Sequence, residues 1–177
     1  SGSVDFGNIR LDGRGGYLAA LDGDGNWLWA YRAVDDGTQN GEGYDWISDI
    51  TWSESNGAAA VYVAGVSANG GSMNSPGGAS LGDAYLFVAE FTISSETWTW
   101  AMSPTTTYGD NDYAQATSIV VDDSGDVYVA GEVHGDLDFG SHSIAGEGDM
   151  DAFIAKASRS QSTWSWAKAD GGENPSS

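Results

Sequence analysis

The stretch Val127-Tyr128-Val129-Ala130-Gly131 is a second copy of Val61-Tyr62-Val63-Ala64-Gly65, 66 positions further along the chain (127 − 61). The same offset carries Trp98-Thr99-Trp100-Ala101 onto Trp164-Ser165-Trp166-Ala167. It also carries Gly82-Asp83 onto Gly148-Asp149, and Phe87-Val88-Ala89 onto Phe153-Ile154-Ala155. A partial third copy lies upstream, with Trp27-Leu28-Trp29-Ala30 set 71 positions before Trp98 (98 − 27). Self-similarity at one period marks a tandem architecture in which a single supersecondary unit recurs.

Each unit reads as four short strands. In the last copy they are Ala116 to Val121, Asp126 to Val133, Ala152 to Ala157 and Thr163 to Lys168. All are rich in β-branched and aromatic residues and are bounded by Gly, Asp and Ser. Asp122-Asp123-Ser124-Gly125 reads as a tight turn, with Gly125 able to take positive φ. Ser158 to Ser162 is a polar hairpin loop. The longest connection, Gly135 to Met150, contains Asp138-Phe139-Gly140, which recurs as Asp5-Phe6-Gly7. No stretch carries a sustained helical period with caps, so the expected class is all-β. Tandem four-stranded antiparallel units point to β-propeller blades, ahead of a sandwich array or a solenoid.

Asp122-Asp123-Ser124-Gly125-Asp126-Val127-Tyr128-Val129-Ala130-Gly131 resembles the Asp-x-x-Gly-Asn-x-Tyr-Val-x-Gly core of the bacterial beta-propeller repeat (SBBP) family. Asp151-Ala152-Phe153-Ile154-Ala155-Lys156 and the Trp-x-Trp-Ala that follows resemble it too. The resemblance implies a propeller fold in a large surface or secreted protein of bacterial or archaeal origin, and no particular activity. The middle copy departs from the pattern. Its first turn is lengthened (Ser53 to Ala60), and Glu90-Phe91 stands where the family has Lys-Leu.

The N-terminal segment supplies only the third and fourth strands of a unit (Tyr17 to Leu21 and Asn26 to Tyr31), and two full units follow, giving ten strands in all. The expected division is a half blade at 1–34, a full blade at 35–104 and a full blade at 105–177. Propellers close with about 4–8 blades, so the expected partner is the remainder of a longer parent protein or further copies of the chain.

With 26 acidic and 6 basic residues the net charge is −20, which repels nucleic acid and anionic membranes, so neither is an expected partner. No apolar run approaches membrane-spanning length, so membrane insertion is not expected. There are no cysteines and hence no disulfides or thiolate chemistry. The acidity reads first as a solvated surface suited to high salt, second as calcium binding, and third as attraction to a cationic partner.

Asp22-Gly23-Asp24-Gly25-Asn26 alternates oxygen ligands as calcium loops do, making Asp22, Asp24 and Asn26 the candidate metal ligands. Trp27 stands where such a loop needs Gly, and Ala30 and Ala33 stand where a closing acid belongs, so an Asp-Gly hairpin turn is the preferred reading. No other cofactor is expected. The pairs Trp27/Trp29, Trp98/Trp100 and Trp164/Trp166 place two indoles on one strand face, as unit-to-unit packing requires. Residues that break the repeat are the better ligand candidates. At the 69-residue offset of the first strand (119 − 50), Ile50 matches Ile119 and Tyr44 matches Tyr113, while Trp46 and Trp52 match Gln115 and Val121. Tyr44, Trp46 and Trp52, near Glu42 and Asp45, are the candidate ligand surface. His134 and His142 lack any Ser, Cys or carboxylate motif that would complete a catalytic set. The expected role is a non-catalytic extracellular scaffold. The rivals are a carbohydrate-binding propeller and a propeller domain of a polysaccharide-active enzyme.

Overall fold

A computed structural model describes residues 2–13, 15–35, 45–55, 58–67, 72–73, 86–106, 113–146 and 150–171. All regular structure among them is strand. The N-terminal region holds β1 (Ser3–Phe6), β2 (Ile9–Asp12), β3 (Tyr17–Leu21), β4 (Trp27–Arg32) and β5 (Val34–Asp35). Then come β6 (Trp46–Ser55), β7 (Ala58–Val66), β8 (Ser72–Met73), β9 (Leu86–Thr92), β10 (Thr97–Met102) and β11 (Thr105–Thr106). The last part holds β12 (Tyr113–Val121), β13 (Val127–His134), β14 (Leu137–Phe139), β15 (His142–Ile144), β16 (Asp151–Ser158) and β17 (Thr163–Asp170). The ten strands expected from the sequence are all present.

Two four-stranded antiparallel meanders dominate: a middle sheet, β6-β7-β9-β10, and a C-terminal sheet, β12-β13-β16-β17. They share pairing register. Tyr62 faces Glu90 and Val63 faces Ala89, as Tyr128 faces Lys156 and Val129 faces Ala155. They also share two bulges. One falls at Ser48 in β6 and at Thr117 in β12. The other falls between the tryptophans, at Thr99 in β10 and Ser165 in β17, and again at Leu28 in the two-stranded β3-β4 hairpin.

The bulges correct one expectation. Trp98 and Trp100 do not share a face. The extra residue, Thr99, sets Trp98 opposite Phe91 and Trp100 opposite Glu90, and neighbouring residues of β9 point to opposite sides. Trp98 therefore packs with Leu18, Val63, Phe87, Ala89 and Phe91, against the β3-β4 hairpin. Trp100 packs with Tyr62, Ala64, Leu86 and Val88 on the side that meets the C-terminal sheet.

Burial explains the composition of each sheet. In the middle sheet β9 is covered on both faces: Leu86, Phe87, Val88 and Ala89 are all fully buried, so the strand opens on an unbroken apolar run. The C-terminal sheet is covered on one face only. In β13, Val127, Val129 and Val133 point inward, and Tyr128, Ala130, Glu132 and His134 alternate outward half-buried. Gly65 and Gly131 have a packing reason. A Cβ on Gly65 would lie 2.1 Å from the Trp46 carbonyl oxygen, and one on Gly131 would lie 2.0 Å from that of Gln115.

Of the expected lengthened turn from Ser53 to Ala60, the described residues, 53–55 and 58–60, are instead strand. Ser53 pairs with Ala60, Glu54 with Ala59 and Ser55 with Ala58. Cross-strand pairing overrides the weak strand preference of Ser and Ala. Seven short strands went unexpected. In the long connection, β14 and β15 form a hairpin whose Phe139 packs on Trp164 at 4.8 Å and on Phe153 at 5.8 Å. The β1-β2 hairpin repeats this at the N-terminus, where Phe6 packs on Trp27 at 5.0 Å and on Tyr17 at 5.9 Å. The strand after each unit then crosses to the next. β5 pairs with β8, and β11 pairs with β14.

Candidate functional site

The Asp22 loop and the turn at Asp122 have the same hydrogen bonding. Asp22 Oδ1 accepts the backbone N–H of Asp24 at 2.9 Å and of Asn26 at 2.8 Å. Asp122 Oδ1 accepts those of Ser124 at 2.9 Å and Asp126 at 3.0 Å. Gly25 and Gly125 close the two turns at φ of 85° and 80°. The Asn26 side-chain amide donates to Asp22 Oδ2 at 2.9 Å. That bond, with the backbone donors, holds the Asp22 carboxyl below its ordinary range against the small effect of burial. The alternating Asp-Gly-Asp-Gly-Asn string thus builds a self-capped hairpin turn. Asp24 and Asn26 sit on that exposed turn. Among the described residues no group of three or more His, Cys, Asp or Glu is placed to share a metal ion.

The second Asp122 oxygen is used differently. It lies 3.3 Å from the Tyr128 hydroxyl and 3.5 Å from Lys156 Nζ, which is itself 3.0 Å from Asp126 and 4.8 Å from the Tyr128 ring centre. These contacts, Tyr128 first and then Asp126, raise the Lys156 pKa.

The aromatic candidates separate. Trp52 is 65% exposed and Trp46 42% exposed, both on β6. Six positions apart, they would share a face in a regular strand. The bulge at Ser48 sets them on opposite faces: Trp52 pairs with Val61, on the side of the N-terminal hairpin, and Trp46 pairs with Val66, on the other. Ile50, 53% exposed, lies beside Trp52. Tyr44 falls outside the described residues.

Two carboxylates hold the middle sheet to the C-terminal sheet. Asp49 Oδ2 accepts the Ile119 backbone N–H at 2.9 Å and the Ser118 hydroxyl at 3.0 Å, while Oδ1 accepts the Ile50 N–H at 2.8 Å. Burial would raise the Asp49 pKa, but these donors outweigh it and lower it. Glu90, 4% exposed, receives Arg159 Nε at 2.7 Å and Nη2 at 3.0 Å, and the Thr99 hydroxyl at 2.7 Å. Burial again opposes, and the Arg159 and Thr99 bonds win, leaving the carboxyl below its ordinary value.

Sequence reasoning passed over Asp49 and Arg159. A signal for Asp49 existed, since at the 69-residue offset it stands where the last unit has Ser118 (118 − 49). Glu90 was visible as a departure from the repeat, and its partner was not. Both acids are engaged by their own donors. No protein-family model and no curated protein matches this chain.

Proposed function

We propose that the chain is a run of β-propeller blades forming a non-catalytic extracellular scaffold, of the kind the resemblance to bacterial beta-propeller repeats implies. The observation that carries this reading is the recurrence, in two stacked antiparallel meanders, of one register, two bulges and one strand crossing to the next unit. The engagement of Asp49 and Glu90 in holding sheets together supports a structural role for the carboxylates that break the repeat. A crystal structure relating successive sheets by rotation about an axis beside β6 and β12 tests the architecture. Translation along a solenoid axis would overturn it. Turnover of any polysaccharide in a hydrolysis screen would overturn the non-catalytic part.

A second reading, a carbohydrate-binding module, is favoured by one observation, the exposed Trp52 beside Ile50. It predicts glycan-array binding that disappears in Trp52→Ala.

A further inference from the structure

In the C-terminal sheet, β12 packs across β6 and β7 of the middle sheet, and Ile119 is 3% exposed. Its counterpart one unit earlier is Ile50, which is 53% exposed beside Trp52 at 65%. The difference lies in what covers them. The C-terminal sheet lays its first strand over the first two strands of the middle sheet. The N-terminal hairpin is a third and fourth strand only, and among the described residues β3 pairs with β4 alone.

The register of β3 can be read from the bulges. Ala20 faces Trp29 as Glu90 faces Trp100 and Lys156 faces Trp166. Three positions back lie Tyr17, Phe87 and Phe153. The contacts agree, since Phe6 meets Tyr17 at 5.9 Å as Phe139 meets Phe153 at 5.8 Å. On the far side of Phe87 and Phe153 stand Gly65 and Gly131. A Cβ at either glycine would come within 2.8 or 2.9 Å of the facing ring.

We propose that the outer edge of β3 and the Ile50–Trp52 face of β6 form one docking site for a β-hairpin of the repeat's own first-and-second-strand type. Its second strand adds antiparallel to β3, and its first strand lies over Ile50 and Trp52. In the register set by the two complete sheets, a Val-Tyr-Val-Ala-Gly strand puts its Gly opposite Tyr17, Ala opposite Leu18, the second Val opposite Ala19, Tyr opposite Ala20 and the first Val opposite Leu21. Main-chain bonds supply the attachment, and the Gly–Tyr17 pair supplies the register. This inference goes beyond the scaffold reading. It rests on pairing registers and local burial, and holds or fails whether or not the sheets close into a propeller.

The probe is a synthetic peptide with the sequence of residues 113–134, added to the full chain and followed by residue-resolved hydrogen exchange. The expected result is saturable slowing of backbone amides within Tyr17–Leu21, with at least a tenfold weaker effect for the same peptide carrying Gly131→Leu. Ile50→Asp in the full chain, an exposed position that leaves the fold intact by circular dichroism, also weakens binding at least tenfold. Absence of slowing, equal slowing by the Gly131→Leu peptide, or indifference to Ile50→Asp overturns the proposal. So does slow exchange of Tyr17–Leu21 in the chain alone, whether concentration-independent, from cover within the chain, or concentration-dependent, from a second copy.

Discussion

Replacing Arg159 by Met tests how the two large sheets are held together. Met keeps most of the side-chain volume and removes the charge. Glu90 then remains 4% exposed with no counter-charge. Stripping one partner from a buried ion pair costs about 3–5 kcal/mol. Arg159 is itself 42% exposed, so water reaches the vacated side and the expected loss falls to about 2–3 kcal/mol at pH 7. For a chain of this size that is a fall in Tm of roughly 5–10 °C. The pH dependence separates this cause from lost packing. In the native chain the Glu90 carboxyl lies below its ordinary value of 4.5. Its contribution is therefore present above 4.5 and is lost as the pH falls through the folded value. In Arg159→Met burial is opposed only by the Thr99 and Tyr62 hydroxyls, so that carboxyl rises from its native value and the variant loses its penalty as Glu90 protonates. Urea unfolding of both proteins should show the gap closing between pH 7 and pH 3. Adding Glu90→Met should restore most of the loss at pH 7. A gap under about 0.5 kcal/mol at pH 7, no more than an exposed pair contributes, would refute the reasoning, as would one that is the same at both pH values.

Gly131→Ala should destabilise by about 2–3 kcal/mol in urea titration, because its Cβ would meet a backbone carbonyl that no rotamer can move. Asp49→Ala leaves the N–H of the buried Ile119 without its acceptor and should cost about 1–3 kcal/mol, with faster exchange of that amide as its marker. Ser162→Gly should stabilise by about 0.5–1 kcal/mol in thermal melts, since Ser162 is held at a φ of 51°. Stability should rise smoothly with sodium chloride as the net charge of −20 is screened, and millimolar calcium should add no more than magnesium at equal ionic strength. A calcium-selective rise in Tm that vanishes in Asp24→Ala would instead make the Asp22 turn a metal site.

Strand identity was legible because duplicate copies reinforce each other. Val127 to Gly131 alone is a short apolar run, but paired with Val61 to Gly65 it specifies a strand at one place in a recurring sheet. Bulges were not legible, because a bulge is a mismatch in residue count against a partner strand, and Thr99 and Ser48 carry no mark of their own. Their cost to the reading was large: the one-face parity expected of Trp98 and Trp100 failed. The crossing strands were hidden for another reason. Val34–Asp35 and Thr105–Thr106 are two residues each, too short to show any period. Glu90 stood out by charge, but pairing it with Arg159 needs the stacking of two sheets, which no spacing in the chain encodes.

The bulge at Thr99 has an optical consequence. Trp98 and Trp100 are two residues apart, yet one indole lies in the interior beneath the N-terminal hairpin and the other in the interior beneath the C-terminal sheet. Detachment of the hairpin wets the first and leaves the second dry, and departure of the C-terminal sheet does the reverse. With every other tryptophan replaced by Phe, emission from Trp98 alone or Trp100 alone becomes a gauge of one seam at a time. A single inserted residue in β10 thus lets one tripeptide report from which end the stack comes apart.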